Sequence, residues 1–263
     1  MCKDIITSKN NNLVKQVKLI RDDKKYREEN SLCFIEGERL VFDTPKKWID
    51  KILISNSFKD INNKLKEYDI NKLFYIDDTI FDSIKDTKNS QGIIAICKTN
   101  INNLTHSALN NNYIILDDIN DPGNLGTIFR ISEAMGFTNI IVSKNSCDIY
   151  NPKTLRASMS SIFRLNIYKS NDLISDIKLL KNNNYIIYGT VLKDSKDYLN
   201  IKFINNKFGL ILGNEANGIN KKLYDYIDEK IKINMNGDIE SLNVAIAYAI
   251  IASEIKRQNE LNA

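Results

Sequence analysis

The sequence predicts an α/β protein in two parts. A small α/β domain spans residues 1–98, a linker spans 99–112, and a mostly parallel-sheet domain spans 113–263. Three observations predict this. Short apolar runs alternate with helix-periodic stretches along the chain, the pattern of strands joined by crossover helices. The stretch "KTNINNLTHSALNNN" (98–112) breaks that pattern with polar residues after one complete set of elements. Eight of the ten glycines (Gly123, Gly126, Gly136, Gly189, Gly209, Gly213, Gly218 and Gly237) fall in the second domain, several just past expected strands. There they permit positive φ and close approach of a ligand to the backbone.

In the first domain, "NNLVKQVKLIRDDKKYREEN" (11–30) places Leu13, Val14, Val17 and Ile20 at helical spacing, which predicts one amphipathic helix with a basic outer face. A strand at Leu32–Glu36, a helix at Gly37–Asp43 stopped by Pro45, and a strand at Trp48–Ser55 follow. A helix at Asn56–Tyr68, a strand at Leu73–Ile76, a helix at Asp78–Ile84 and a strand at Gly92–Cys97 complete the set. In the second domain the apolar runs predict strands at Tyr113–Leu116, Asn139–Val142, Leu165–Tyr168, Tyr185–Thr190, Phe208–Leu212 and Lys230–Ile233. Helices are expected at Leu125–Met135, Lys153–Ser161, Asp172–Lys181 and Leu242–Gln258. Strands alternating with helices at this spacing form a parallel sheet covered on both faces, with ligands bound beyond the strands' carboxyl ends.

Composition narrows the chemistry. The 263 residues are 43% hydrophobic and 27% charged, with a formal charge of only +4. That charge is uneven: residues 1–27 hold eight Lys/Arg (Lys3, Lys9, Lys15, Lys18, Arg21, Lys24, Lys25, Arg27) against Asp4, Asp22 and Asp23, a local +5. Such a stretch suits a phosphate backbone, and equally a solvated helix face. Cys2, Cys33, Cys97 and Cys147 are scattered without a CxxC or a partnered His, against a zinc site or a disulfide framework. No run approaches the roughly 18 apolar residues of a membrane span, so the expected setting is reducing and cytoplasmic. The single histidine, His106, lies in the polar linker, which leaves no His for general-base or Ser-His-Asp chemistry.

Three loops concentrate the unusual residues. In "LDDINDPGNLGTIFR" (116–130), Asp121-Pro122-Gly123 forms a tight turn and Asn124 is expected to cap the next helix. On that helix Thr127, Arg130 and Ala134 share one face. A guanidinium one turn inside a helix that starts at the strand ends would favour a phosphate, though a capped turn with a surface arginine fits as well. In "FGLILGNEANGI" (208–219), Glu215 stands between Gly213 and Gly218 at a strand end, where it could orient an arginine or a ligand hydroxyl; two turn glycines in an ordinary loop read the same way. In "INMNGDIESLNVAIAYAIIASEIKRQ" (233–258), Gly237 turns the chain and Ser241 is expected to cap a long helix. Val244, Ala245, Tyr248, Ala249, Ala252 and Ile255 form an apolar face for a sheet or a second subunit. Capping alone would explain Ser241. The absence of GxGxxG disfavours a Rossmann-type site.

Taken together and in order, these loops resemble the SpoU (TrmH-like) branch of the SPOUT RNA methyltransferases. The first motif matches at Asn124, Gly126 and Arg130, and the second at Gly213, Glu215 and Gly218. The third matches at Met235, Gly237, Ser241, Leu242, Asn243, Val244 and Ala245. The resemblance covers about residues 113–258. "ITSKNNNLVKQVKLI" and "FIEGERLV" also look like the small RNA-binding domain that precedes the catalytic domain in many members. One departure is Ser160 in "RASMSSIFR", where many relatives have Gly; a serine fits if the backbone there is helical.

The resemblance implies a SPOUT-type domain with a C-terminal trefoil knot, and transfer of a methyl group from S-adenosylmethionine to an RNA ribose 2′-hydroxyl without a metal. It implies catalytic roles for Arg130, Asn124, Glu215, Ser241 and Asn243. Arg130 would clamp a phosphate and take or share the hydroxyl proton. Cofactor contacts would come from Thr190, Gly213, Gly218, Ile233, Met235 and Leu242, largely through main chain. Lys15, Lys18, Lys24, Lys25 and Arg39 would grip RNA, ribosomal RNA being favoured over transfer RNA by the two-domain layout. Relatives of this kind are typically homodimers, so the resemblance implies a homodimer with the last helix near the interface, and no membrane partner. The alternatives are a transfer-RNA 2′-O-methyltransferase or, in another class, a non-catalytic RNA-binding or ribosome-assembly factor with the same fold.

Overall fold

The computed structural model describes residues 5–109, 111–203 and 207–261. Cys2, Lys3 and Asp4 lie outside the described residues. In chain order the elements begin with α1 (Asn12–Asp22), α2 (Lys24–Asn30), β1 (Leu32–Glu36), α3 (Glu38–Asp43), β2 (Ile49–Ser55), β3 (Leu73–Ile76), α4 (Asp78–Ile84) and β4 (Ile93–Lys98). There follow β5 (Ile101–Asn102), β6 (Tyr113–Leu116), α5 (Pro122–Met135), β7 (Asn139–Ser143), α6 (Pro152–Ser158), β8 (Asn166–Ser170), α7 (Leu173–Lys181) and β9 (Ile186–Thr190). The chain closes with β10 (Lys196–Asp197), β11 (Phe208–Leu212), β12 (Glu229–Lys232) and α8 (Val244–Leu261). Contacts gather these into two units, Met1–Thr99 with Asp148–Phe163, and Asn100–Cys147 with Arg164–Ala263.

In the first unit a four-stranded sheet has the order β1-β4-β2-β3, with β2 and β3 parallel and the other pairs antiparallel. Val14, Val17 and Ile20 turn the apolar stripe of α1 into a core with Phe34, Leu53, Ile80 and Ile94. The single helix expected over 11–30 is two helices. Asp23 leaves helical geometry (φ −112°, ψ 111°), and its carboxylate accepts the Lys25 and Tyr26 N–H groups, so it ends α1 and caps α2. The helix expected at Asn56–Tyr68 is a run of turns with a 3₁₀ segment at Lys64–Glu67. Asp60 accepts the N–H groups of Lys64 and Leu65, both at 2.8 Å, and Asn63 is left-handed, so local side-chain bonding displaces the helix.

The segment Asp148–Phe163 groups with this first unit although it follows β7 in the chain. Arg27, 4% exposed, pairs with the Asp148 carboxylate and donates to the carbonyls of Ile20 and Arg21. Arg156 pairs with Asp86, and Trp48 Nε1 donates to Phe163 O at 2.9 Å. Ser160 is not helical, contrary to expectation: Met159 and Ser160 are both left-handed (φ 49° and 67°). The chain turns sharply after α6, and the buried Ser160 hydroxyl is tied to Leu40 O at 3.1 Å.

In the second unit eight strands, all parallel, have the order β10-β12-β9-β11-β6-β7-β8-β5. Central strands such as YIIL (β6) and FGLIL (β11) are buried throughout, as a sheet covered on both faces requires. One face packs Tyr113, Ile115, Ile141, Ile187 and Ile211 against Leu173, Ile177 and Leu180 of α7. Helices α5 and α8 pack on each other, joined by a buried Ser132–Tyr248 hydroxyl pair at 2.8 Å. From β6 the chain runs outward through β7 and β8, then crosses to β9 and inserts β11 between β9 and β6. The direction of winding therefore reverses between β6 and β11, and a ligand crevice belongs at the carboxyl ends of those strands. Among the described residues no helix is long and apolar enough to cross a membrane.

Candidate active site

Three loops leave the carboxyl ends of β6, β11 and β12, each shaped by its own sequence. After β6, Asp118 is left-handed (φ 55°), a conformation a short polar side chain tolerates. Its carboxylate accepts from the Ser143 hydroxyl at 2.7 Å. Asp121 then caps α5 by accepting Asn124 N–H at 2.8 Å, with Pro122 in the first turn. This corrects the expectation that Asn124 is the cap. Pro122 and Gly123 occupy the first two helical positions, so Asn124 lies inside the helix and its side chain is left to other work.

After β11 the chain doubles back. Asn214 and Gly218 exchange main-chain hydrogen bonds at 3.0 and 2.9 Å. A Cβ on Gly213 would lie 2.3 Å from the main chain of Gly218 and Ile219, and Gly218 has φ +66°. The two glycines of GxExxG are thus demanded by close approach and by a left-handed turn. After β12, residues 233–243 run without regular structure to α8. Asn243 Oδ1 accepts the N–H groups of Ala245 and Ile246 at 3.0 and 3.3 Å, and so caps α8. Ser241, the expected cap, is exposed and precedes the helix start by three residues.

These loops meet through side chains. Because Asn243 Oδ1 faces its helix, its Nδ2 points outward and donates to Asn124 Oδ1 at 2.9 Å. Asn124 Nδ2 donates to Glu215 Oε1 at 2.9 Å. The Glu215 carboxylate also accepts the N–H groups of Asn120 and Asp121 at 3.2 and 3.3 Å. Partial burial pushes the Glu215 pKa up, but the Asn124 amide and the surrounding main-chain amides outweigh it, holding this carboxyl below its ordinary value. Beneath the loops Asp117, 4% exposed, accepts Asn220 N–H at 2.7 Å, and burial pushes its carboxyl up.

Arg130 lies six residues beyond Asn124 on the same helix, about 9 Å along its axis. It is exposed, and among the described residues its guanidinium has no hydrogen-bond or ion-pair partner. The structure thus joins Asn124, Glu215 and Asn243, while Arg130 and Ser241 make no hydrogen bond to them. Thr190 ends β9 and donates to Ile211 O at 3.1 Å. Gly213 is buried, and Ile233, Met235 and Leu242 are half-buried on the third loop.

In the first unit Lys15, Lys24, Lys25 and Arg39 are exposed and Lys18 is half-buried. Arg39 pairs with Asp43 at 3.5 Å and Lys25 with Glu29 at 3.7 Å. The basic count of the N-terminal stretch overstates its free charge, because Arg27 is buried in an ion pair and Arg21 is bound to Asp22 and Lys85 O. Sequence reasoning missed Asp121 as the cap, the amides of Asn120 and Asp121 as donors to Glu215, and Asn214. The last was signalled only by its place inside "GNE".

Comparison with known proteins agrees with this architecture. The SpoU rRNA Methylase family model matches residues 111–253, and the MRM3-like substrate binding domain matches residues 11–95. The chain is 30% identical, over 95% of its length and 98% of the relative's, to the 23S rRNA (guanosine(2553)-2′-O)-methyltransferase RlmP of Bacillus subtilis. It superposes on an AdoMet-bound rRNA methyltransferase from Sinorhizobium meliloti with TM-score 0.85 and 27% identity, covering 97% of each chain. The fold also matches the SpoU methyltransferase AviRb from Streptomyces viridochromogenes, with TM-score 0.84 and 19% identity, over 96% of this chain and 99% of that one. The chain therefore belongs to the SpoU rRNA methylase family and is an S-adenosylmethionine-dependent RNA 2′-O-ribose methyltransferase.

Proposed function

We propose that the acceptor is a ribose 2′-hydroxyl of large-subunit ribosomal RNA, held by residues 1–98 and methylated by residues 113–263. The carrying observation is the hydrogen-bonded chain Glu215–Asn124–Asn243, which ties the three loops together at the start of the helix that also carries Arg130, whose guanidinium has no partner among the described residues. The full-length likeness to a 23S rRNA enzyme supports the choice of RNA.

The residues fit the cofactor. Thr190, Gly213 and Ile233 stand at the ends of the adjacent strands β9, β11 and β12. Among the described residues the main chain of 235–242 forms no hydrogen bond, which leaves amides and carbonyls for an adenine edge. Ile233, Met235 and Leu242 offer apolar sides, and the open space beside the Gly218 Cα lets a ligand approach the backbone there. When bound, S-adenosylmethionine supplies a methyl group on a sulfonium, an electrophile that needs no metal.

The chain's own groups do the rest. Glu215 is committed to three N–H donors, which lower its pKa and make it a poor proton acceptor, so it orients Asn124. Arg130 grips the RNA phosphate and aligns the 2′-oxygen; as that oxygen takes the methyl, its proton leaves to water, or to Arg130 in its neutral, deprotonated form. Alignment of the reacting atoms supplies most of the acceleration, since an arginine with pKa above about 12 is already protonated at neutral pH and has no lone pair free to take a proton. Ser241 and Asn243 border the ribose. Lys15, Lys18, Lys24, Lys25 and Arg39 contact the RNA backbone.

We also read the C-terminal segment as knotted, because β11 enters between strands already laid down and α8 returns to α5. The protein acts as a homodimer. Much of the apolar face expected on α8 is spent inside the chain, where Ala245, Tyr248, Ala252 and Ile255 are buried, so Ile246, 55% exposed, marks the remaining contact strip. Its place of work is the cytoplasm, where ribosomal RNA is found. The test is transfer of radiolabelled methyl to separate ribosomal and transfer RNA pools from cells lacking the enzyme, followed by alkaline hydrolysis. Label in alkali-resistant dinucleotides of 23S rRNA is expected. Label in transfer RNA, or on a base, would overturn the assignment.

A further inference from the structure

The amide of Asn214 precedes Glu215 and reaches across to the first loop. Its Nδ2 donates to Asp118 O at 2.7 Å, while its Oδ1 accepts the N–H groups of Ala216 and Asn217 at 2.9 and 3.0 Å. Its own N–H and C=O are taken by Gly218. One side chain thus shapes the turn that presents Glu215 and ties that turn to the loop that Glu215 must meet. The tied point is well chosen. Asp118 is the left-handed residue of the first loop, and from its other side Ser143 and Asn145 bind its carboxylate. Ser143 is in turn hydrogen-bonded to Ser146, whose hydroxyl accepts Ile119 N–H at 3.1 Å. The first loop is therefore braced by the β7 end on one side and by Asn214 on the other. With that brace in place the N–H groups of Asn120 and Asp121 come within reach of Glu215.

We propose that Asn214 is a positioning residue for methyl transfer. By locking the second loop to Asp118 O it sets the Glu215 carboxylate, and through it Asn124, at the working end of α5. It touches neither substrate nor cofactor in this role. The proposal rests on the reading of Asn124 and Arg130 as groups that meet the RNA ribose and its phosphate. Its structural half can be tested without that reading.

The informative variant is Asn214→Asp. A carboxylate keeps the acceptor for Ala216 and Asn217, so the turn survives, but it cannot donate to Asp118 O and repels it. Full-length enzyme is compared with wild type in three measurements. Amide hydrogen exchange at Asn120 and Asp121 is expected to quicken at least about tenfold while the core strands stay protected. With 23S rRNA transcribed in vitro, kcat is expected to fall about tenfold or more, with KM for RNA and Kd for S-adenosylmethionine within about twofold. Asn214→Ser, which keeps a shorter acceptor and also lacks the donor reach, is expected to behave alike and serves if the aspartate variant fails to fold. Unchanged exchange at Asn120 and Asp121 overturns the tether. Quickened exchange with unchanged kcat overturns the positioning role. If the wild type itself leaves 23S rRNA unmethylated, the substrate reading fails, and the exchange measurement still decides the tether.

Discussion

Asn243 caps the last helix with one end of its amide and holds Asn124 with the other, at 2.9 Å. A residue that starts α8 thereby fixes a residue inside α5, and the direction of both amides follows from the cap. Asn124 has no choice but to offer Nδ2 to Glu215. The order of the chain Glu215–Asn124–Asn243 thus follows from helix capping, a local rule, although its members come from loops far apart in sequence.

Asp117 provides a pH test. Burial raises its carboxyl pKa in the folded chain, so the folded state binds that proton more tightly than the unfolded state. The associated stability is present below about pH 4 and is lost as pH rises toward and through the raised folded value. Asp117→Asn keeps an acceptor for Asn220 N–H and removes the buried charge. The variant is expected to melt roughly 2–4 °C above wild type at pH 7, with the gap closing near pH 3, as followed by circular dichroism.

Asp148→Ala leaves the Arg27 guanidinium buried beside two carbonyls with no counter-charge. A loss of about 3–5 kcal/mol is expected in urea unfolding. Replacing both partners by apolar residues, Arg27→Met with Asp148→Leu, should recover most of it. A double-variant loss equal to the single one would show that the charge is not the cause.

Ser160 separates backbone strain from hydrogen bonding. Ser160→Gly relieves a left-handed conformation worth about 1 kcal/mol and gives up a bond to Leu40 O of similar size, and that carbonyl still accepts from Thr44 Oγ1 at 2.8 Å. Stability within about 0.5 kcal/mol of wild type is expected. Ser160→Ala keeps the strain and loses the bond, and should unfold about 1 kcal/mol more readily. Equal melting temperatures for the two variants would contradict this division.

Most of the fold was legible because the second unit's strands are buried runs bounded by turn residues. Tyr113–Leu116 and Phe208–Leu212 stand where the apolar pattern puts them. The misreadings share one cause, short polar side chains bonding their own backbone. Asp23 splits a helix, Asp60 prevents one, Asp121 takes the cap from Asn124, and Asn243 takes it from Ser241. Periodicity is blind to these contacts. The motif residues of the site were legible as types in order. Their connection was not, because it depends on β11 lying beside β6, a pairing that only the folded sheet supplies. Asn214 was hidden for the same reason, since its partner Asp118 is 96 residues earlier.

The most direct test of the account concerns Arg130, exposed on α5 and without a partner among the described residues. Single-turnover methyl transfer to 23S rRNA is measured for Arg130→Lys and Arg130→Ala alongside the affinity for S-adenosylmethionine. The account predicts a fall of about 10²-fold or more for both variants, with cofactor affinity within about twofold and an unchanged melting temperature. Rates within about threefold of wild type would contradict it.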